Sequence, residues 1–212
     1  FCVFINKTIY LTSLLLVSTL SVVEIFKISN LAQMNNSSKK WNLIKILSFF
    51  YFFGIFIPVT YDLISLGSTF VIYILLICIF SDIGGYIVGK IIGGKKLTKI
   101  SPKKTVSGSV GSFCFSLFPL VIFYNFNFIE YSYSLNNLLL CLAVSLVCQS
   151  GDLFISYLKR NARVKDTGNI LPGHGGLLDR IDGIIFGVPF AWFYINDFKI
   201  YLNNWNNIIF NL

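Results

Sequence analysis

Long apolar stretches dominate this sequence and restrict it to folds that a lipid bilayer can surround. A helix needs roughly 20 predominantly apolar residues to cross the hydrocarbon core of a membrane. Stretches of this kind predict six spans, at 9–29, 43–61, 64–81, 106–126, 134–150 and 183–202. The last is the weakest, because it contains Pro189, Asn196, Asp197 and Lys199. We therefore predict an all-α polytopic membrane protein, a bundle of about six transmembrane helices.

The composition leaves little room for a separate water-soluble domain. Of the 212 residues, 55% are hydrophobic and 12% are charged. We predict a single helical membrane domain over 1–212, with any polar site built from loops and helix ends at one membrane face. The chain begins at Phe1, already inside an apolar stretch. We therefore expect it to be incomplete at its N-terminus and to lack a further membrane segment, with a cleaved signal peptide as the alternative.

The positive charge is concentrated in a few loops. The net charge is +8, and eleven of the seventeen Lys and Arg residues fall in 90–104 and 159–180. The positive-inside rule then places 30–42, 82–105 and 151–182 on the cytoplasmic side. Counting the predicted spans gives the same arrangement. This distribution indicates an integral membrane protein and not a nucleic-acid-binding protein.

The first polar segment carries an acidic residue and a basic helix start. Asp82 ends a predicted span, where an isolated carboxylate needs a partner or access to water. Further on, Ser101-Pro102-Lys103-Lys104-Thr105 precedes the next span. A helix N-terminus beside a hydroxyl group and two ammonium groups is a good phosphate site. The alternative for the lysines is contact with lipid headgroups alone.

The second polar segment, 151–182, holds four of the nine acidic residues. If a helix continues past Gly151, Asp152, Ser156, Lys159 and Arg163 share one face. The glycine-rich turn 168–176 would then return Asp179 and Asp182 towards Asp152. Hard oxygen ligands without thiolates point to Mg²⁺ or Mn²⁺. Interhelical salt bridges that only hold the bundle together are the alternative.

The only histidine of the chain, His174, lies in a Pro-Gly-His-Gly-Gly turn. Proton transfer, contact with a phosphate and a purely conformational role in the turn all stay open for it.

These residues form a pattern that resembles a known family. Ser156-x-x-Lys159-Arg160, Lys165-Asp166 and Leu171-Pro172-x-His174-Gly175-Gly176-x-x-Asp179-Arg180-x-Asp182 are similar to the signature of CDP-diacylglycerol synthases, the phosphatidate cytidylyltransferases. Ser81-Asp82 and Ser101-Pro102-Lys103-Lys104-Thr105 resemble two further blocks of that family. The motif-bearing catalytic part covers about 81–189. One departure is Val106-Ser107-Gly108, where the family typically has Trp-Glu-Gly.

The resemblance implies a reaction in which CTP and phosphatidic acid give CDP-diacylglycerol and pyrophosphate. It implies catalytic residues Asp152, Asp179, Asp182, Lys159 and Arg180. The implied metal ligands are Asp152, Asp179 and Asp182, with Asp82 as a further candidate. The implied substrate- and phosphate-binding residues are Ser101, Lys103, Lys104, Thr105, Ser156, Arg160, Lys165, Asp166 and His174. Mg²⁺ or Mn²⁺ is the implied cofactor, and a second, monovalent cation is left open, as is a homodimer.

Two other functions compete with this interpretation. A CDP-alcohol phosphotransferase also uses aspartates and a metal on membrane helices, but its expected motif lacks the Pro-Gly-His-Gly-Gly turn. A transporter for a cation or a phosphate compound would use intramembrane carboxylates, but its path needs polar residues along the whole length of the spans. The family resemblance predicts a bacterial inner-membrane protein whose active site faces the cytoplasm.

Overall fold

The computed structural model describes residues 7–35, 39–126, 135–171, 173 and 175–210. Most of these residues are helical, and the helices in order are α1 (Lys7–Asn35), α2 (Lys40–Phe50), α3 (Ile57–Leu63), α4 (Ser68–Ile92), α5 (Val106–Phe115), α6 (Phe118–Asn125), α7 (Leu135–Asn161), α8 (Leu178–Ile181) and α9 (Ile184–Phe210). A π-helical segment, Tyr51–Phe56, joins α2 to α3 without a break. The β-structure of the described ranges consists of two isolated bridges, Lys96–Thr105 and Leu171–Gly175. The predicted all-α architecture is confirmed.

Five helical segments of the described chain are long and apolar enough to cross a membrane: Lys7–Met34, Lys40–Leu63, Ser68–Ile92, Val106–Asn125 and Leu135–Asn161. They overlap the first five predicted spans, one to one. The sixth predicted span, 183–202, falls on α9, which is helical around Pro189 but is not among these five. Its crossing of the membrane stays a prediction.

Two helices continue beyond the ends that the sequence predicted. The predicted third span stopped at Ser81, but α4 runs on to Ile92. The glycines in this stretch do not end the helix, because they pack against α5. The predicted fifth span stopped at Ser150, but α7 runs on to Asn161. Asp82 and Asp152 therefore both lie on helices, which fixes the direction of their side chains.

The glycines of α4 and α5 allow the two helix backbones to come very close. A Cβ atom on Gly84 would lie 2.6 Å from the carbonyl oxygen of Gly111, and a Cβ atom on Gly108 would lie 2.7 Å from the carbonyl oxygen of Gly85. A larger residue at either position would separate the helices. This packing holds the beginning of α5 beside Asp82.

Two apolar clusters form the core, and α7 belongs to both. Its first half packs with α4, α6 and α9 through Leu140, Val144 and Cys148. Its second half packs with α1, the α2–α3 segment and α8 through Ile155 and Leu158. Asp152, the first charged residue of α7, therefore lies at the boundary between the two clusters.

Candidate active site

A polar cavity of about 530 Å³ opens between α4, α5 and α7. Among the residues that line it are Asp82, Tyr86, Ser101, Lys103, Lys104, Thr105, Ser109, Gln149 and Asp152. Six of the residues implied from sequence thus face a single space: Asp82, Ser101, Lys103, Lys104, Thr105 and Asp152. Its volume is in the range of small-molecule sites in proteins.

The loop before α5 is shaped to hold the two lysines at the cavity. Its turn begins at Gly93 and Gly94, whose φ angles of 62° and 102° favour glycine. Backbone hydrogen bonds then close the loop, from Leu97 N to Lys104 O (2.9 Å) and from Val106 N to Lys95 O (3.0 Å). Lys103 and Lys104 are held at the helix start by this backbone and not by their side chains alone.

Thr105 is the N-cap of α5, so its hydroxyl group lies at the helix start that the sequence predicted. Its side-chain oxygen accepts a hydrogen bond from Gly108 N at 3.1 Å. An N-cap hydroxyl satisfies one of the N–H groups that a helix start leaves unpaired, while the helix dipole still favours an anion there. The arrangement of a helix start with two lysines is suited to a phosphate group.

Asp152 connects this helix start to α7. One carboxylate oxygen forms an ion pair with Lys104 Nζ. The other accepts a hydrogen bond from Ser156 Oγ at 3.3 Å, one helical turn further on. This contact agrees with the predicted face, whereas Arg163 lies beyond the end of α7, in a left-handed conformation with φ 57°.

Asp179 is held by several donors at once. One oxygen accepts from Lys159 Nζ at 2.7 Å, and the other accepts from the backbone N–H groups of Thr167 (2.7 Å) and Gly176 (3.0 Å). Burial alone would raise the pKa of this carboxyl group. The hydrogen bond from Lys159 and the two backbone donors outweigh burial and hold the pKa below its usual value.

Asp182 lies in the opposite electrostatic situation. Burial, followed by the negative charges of Asp152 and Asp82, raises the pKa of Asp182 to about 8. The sequence placed Asp179 and Asp182 on one face, turned together towards Asp152. In the structure α8 is a single turn, and the contacts of the two residues differ. Asp179 binds Lys159 and the glycine-rich loop, whereas Asp182 faces the other aspartates.

Four of the implied residues lie at the exposed edge of the site: Arg160, Lys165, Asp166 and Arg180. Arg160 Nε donates to the carbonyl oxygen of Ile100 at 3.4 Å, which links the end of α7 to the loop before α5. His174 lies outside the described residues, so each role considered for it stays a prediction.

The sequence interpretation assigned no role to three polar residues that bind within the site. Gln149 accepts a hydrogen bond from Ser109 at 2.6 Å across the cavity. Thr167 binds Asp179, and Glu24 of α1 binds Thr167. Gln149 precedes Asp152 by three residues on one helix face. An acidic residue inside an apolar span also indicates a functional role, and Glu24 is such a residue.

The carboxylates fit a divalent cation in their chemistry. Asp82, Asp152 and Asp182 offer hard oxygen atoms, and their mutual repulsion is a state that a cation relieves. In the part of the chain that the structure describes, no three acidic, histidine or cysteine side chains already surround one point as ligands would. Mg²⁺ commonly uses one or two carboxylates, with water and substrate phosphates completing its shell. The donor set therefore fits Mg²⁺ bound together with a phosphate substrate.

An apolar cavity of about 560 Å³ lies on the other side of α7. Phe154, Ile155 and Leu158 of α7 face it, together with Gly54 of the π-helical segment and Phe186 of α9. On α7 these apolar residues alternate with Asp152, Ser156 and Lys159. One helix therefore separates a polar cavity from an apolar one.

Comparison with known proteins supplies a family and several relatives. The cytidylyltransferase family profile matches residues 1–198. Phosphatidate cytidylyltransferase of Bacillus subtilis (strain 168) is 43% identical over 130 residues, which are 61% of this chain and 48% of that protein. The enzymes of the same name from Staphylococcus aureus (strain COL) and Synechocystis sp. (strain PCC 6803) are each 42% identical, over 61% and 60% of this chain and 50% and 43% of theirs. The aligned part of the chain thus spans about half the length of these curated relatives.

Proposed function

Because the chain belongs to the cytidylyltransferase family, we propose that it transfers the cytidylyl group of CTP to phosphatidic acid. The products are CDP-diacylglycerol and pyrophosphate. The observation that carries this proposal is the cavity in which Lys103, Lys104 and the start of α5 face Asp82 and Asp152. Cations and carboxylates facing each other across one space are suited to a metal-bound polyphosphate. The substrates are inferred from the curated relatives, which are named phosphatidate cytidylyltransferases.

The reaction needs no nucleophilic side chain. A phosphate oxygen of phosphatidic acid attacks the α-phosphorus of CTP, and the bond from that phosphorus to the β-phosphate oxygen breaks. The departing group is pyrophosphate. The attacking oxygen is already ionised at neutral pH, so the protein has to bring two anions together and stabilise the negative charge of the leaving group.

The cationic residues have different roles, which depend on where they lie in the site. Lys103, Lys104 and the N–H groups at the start of α5 bind the phosphates of the nucleotide. Lys159 of α7 is held in place by Asp179 and provides a positive charge at the site. Arg160, Lys165 and Arg180 lie at the exposed edge, where they attract the two anionic substrates. Ser101, Thr105 and Ser156 offer hydroxyl groups to phosphate oxygens.

The proposed metal ligands are Asp152 and Asp182, with Asp82 beside them. A bound Mg²⁺ or Mn²⁺ neutralises negative charge on the reacting phosphates and on the leaving pyrophosphate. Asp179 contributes to the site by binding Lys159 and the loop through Thr167 and Gly176. The metal-ligand role that the resemblance implied for Asp179 stays a prediction. A second, monovalent cation and a homodimer stay predictions.

The apolar cavity behind α7 supports a lipid substrate. A phosphatidate headgroup at Asp152 and Ser156 would lie one helix away from a cavity that suits an acyl chain. The five candidate spans support an integral membrane protein. Bacterial relatives and the lysine-rich loop before α5 favour the inner membrane, with the site on the cytoplasmic face.

The test is pyrophosphate release from CTP by the purified chain in liposomes. We expect release only when phosphatidic acid and Mg²⁺ are both present, and none after EDTA is added. Release of CMP from a CDP-lipid with an added alcohol would instead indicate the phosphotransferase. Ion flux across the liposome membrane without CTP turnover would indicate the transporter. Either of these results would overturn the proposal.

A further inference from the structure

Glu24 is an acidic residue in the middle of α1, and it is 2% exposed. Its helix is long and apolar enough to cross a membrane. An ionised carboxylate in such a place is unfavourable unless polar groups satisfy it. Its oxygen atoms accept hydrogen bonds from Leu177 N (2.8 Å), Leu178 N (2.9 Å) and Thr167 Oγ1 (2.7 Å). All three donors belong to the glycine-rich segment 167–178.

Two glycines of this segment fit the carboxylate closely. A Cβ atom on Gly176 would lie 2.5 Å from one oxygen of Glu24, and a Cβ atom on Gly168 would lie 2.8 Å from the other. Any side chain at either position would push the carboxylate away. The segment is therefore shaped around a residue more than 140 positions earlier in the chain.

Thr167 connects Glu24 to the candidate active site. Its hydroxyl oxygen lies 2.7 Å from Glu24 Oε2 and 3.0 Å from Asp179 Oδ2. Its backbone N–H and that of Gly176 both donate to the same oxygen of Asp179. Glu24 and Asp179 thus hold the same stretch of backbone from two sides, and Asp179 in turn holds Lys159.

We propose that Glu24 is a positioning residue for the reaction: it fixes the glycine-rich segment and, through Thr167, the Asp179–Lys159 pair. This inference rests on the proposed function and extends it to a helix outside the motif-bearing part of the chain. Glu24 itself touches no reacting atom in this role. It acts on the rate at which bound substrates react and not on the binding of CTP in the cavity beside α5.

The experiment compares the full chain with Glu24→Gln, Thr167→Val and Thr167→Ser. Glutamine keeps the shape of Glu24, but it turns an N–H₂ group towards at least one of the three donors. Valine removes the hydroxyl group of Thr167 and serine restores it. Asp62→Asn is the matched control, because the same acid-to-amide change is made at an exposed residue that binds Trp192 instead of the site.

Two quantities are measured: amide hydrogen exchange of 167–178, and the kcat and KM of pyrophosphate release per mole of folded protein. For Glu24→Gln and Thr167→Val we expect faster exchange in this segment, by roughly tenfold or more. We also expect kcat to fall at least about tenfold while the KM for CTP changes less than about twofold. Thr167→Ser should recover most of the kcat that Thr167→Val loses, and Asp62→Asn should match the unchanged protein.

Other outcomes overturn the proposal. Unchanged exchange in Glu24→Gln would show that the carboxylate does not hold the segment. Faster exchange with unchanged kcat would show that it holds the segment without serving the reaction. If Glu24→Gln does not fold, the two Thr167 variants decide. Equal kcat values for Thr167→Val and Thr167→Ser would then show that the hydroxyl group of Thr167 does not connect Glu24 to the Asp179–Lys159 pair. An unchanged protein that releases no pyrophosphate would refute the proposed function; hydrogen exchange alone would then decide whether Glu24 holds the segment.

Discussion

Two lysine–aspartate pairs connect α7 to the rest of the site, and they differ in their surroundings. In the Lys104–Asp152 pair each side chain is 27% exposed, and both residues line the polar cavity. In the Lys159–Asp179 pair the two side chains are 13% and 9% exposed. Asp179 is also bound by two backbone N–H groups, whereas Asp152 accepts a hydrogen bond from Ser156 and lies beside Asp182.

This difference in burial and hydrogen bonding suggests that the two pairs have different roles. A half-exposed pair contributes little to stability and can exchange its partners at low cost. Under the proposed function, Lys104 and Asp152 would separate, so that Lys104 binds a phosphate and Asp152 binds a metal ion. A buried and fully bonded pair is much harder to separate. Under the proposed function, we expect Lys159 and Asp179 to stay paired while the substrates bind and the products leave.

The largest expected effect is that of Asp152→Asn. It removes a proposed metal ligand from the open pair, so we expect pyrophosphate release to fall by a factor on the order of 10³. The free energy of unfolding should change by only about 1 kcal/mol, because the pair is partly open to solvent. Turnover in liposomes and thermal unfolding in detergent measure the two quantities. Full metal-dependent turnover in this variant would remove the metal role from Asp152.

Asp179→Asn should affect both stability and activity. The variant leaves Lys159 without its counter-charge and places an amide N–H₂ group near donors that need an acceptor. We expect a loss of about 3 kcal/mol in unfolding free energy and of about 10²-fold in turnover.

The double variant Lys159→Met, Asp179→Asn separates the two effects. With both charges gone, stability should largely return, because no unpaired charge stays buried, while turnover should stay low. A double variant that recovered turnover as well would show that the pair serves the fold alone. Equal losses of stability in Asp152→Asn and Asp179→Asn would contradict the comparison itself.

The two aspartates of the α8 turn should also respond differently to pH. Asp182 has a pKa raised to about 8, so below that pH it holds a proton that a metal ion must displace. The affinity for Mn²⁺, measured by electron paramagnetic resonance, should therefore rise up to about tenfold per pH unit towards pH 8 and level off above it. Asp179, whose pKa is lowered, stays ionised throughout this range and adds no pH dependence. Asp182→Asn should flatten the profile, and an unchanged slope would exclude Asp182 as the group that titrates.

The positions of the spans and of the polar segments could be predicted from sequence, because hydropathy and charge act locally. The helical face of Asp152, Ser156 and Lys159 followed from helix periodicity once α7 was assumed to continue. The different surroundings of Asp179 and Asp182 could not be predicted in this way. They depend on how the chain folds back through 167–178, and the positive φ angles of Gly173 and Gly175 show how sharply it turns.

Glu24 shows the same limit over a longer distance. Its place in the second half of the predicted span 9–29 is compatible with a side chain inside the bundle and with one that reaches towards the membrane surface. The choice depends on the packing of α1 against α8, which brings its carboxylate to Leu177 and Leu178. Contacts between residues so far apart in the chain leave no periodic signal in either segment.

The smallest expected effect tests the side of α7 opposite the two ion pairs. Gly54 lines the apolar cavity, and a Cβ atom added there would meet open space. Gly54→Leu should therefore fold, fill part of the cavity and compete with an acyl chain. Since one buried CH₂ group contributes about 0.8 kcal/mol, displacing about two of them should raise the KM for phosphatidic acid by roughly tenfold. The KM for CTP should not change, because the polar cavity lies across the helix. Val121→Leu on α6, which also introduces a leucine but at an exposed apolar residue, is the control. An equal rise in both KM values would show that α7 had moved as a whole and that the cavity does not hold the lipid.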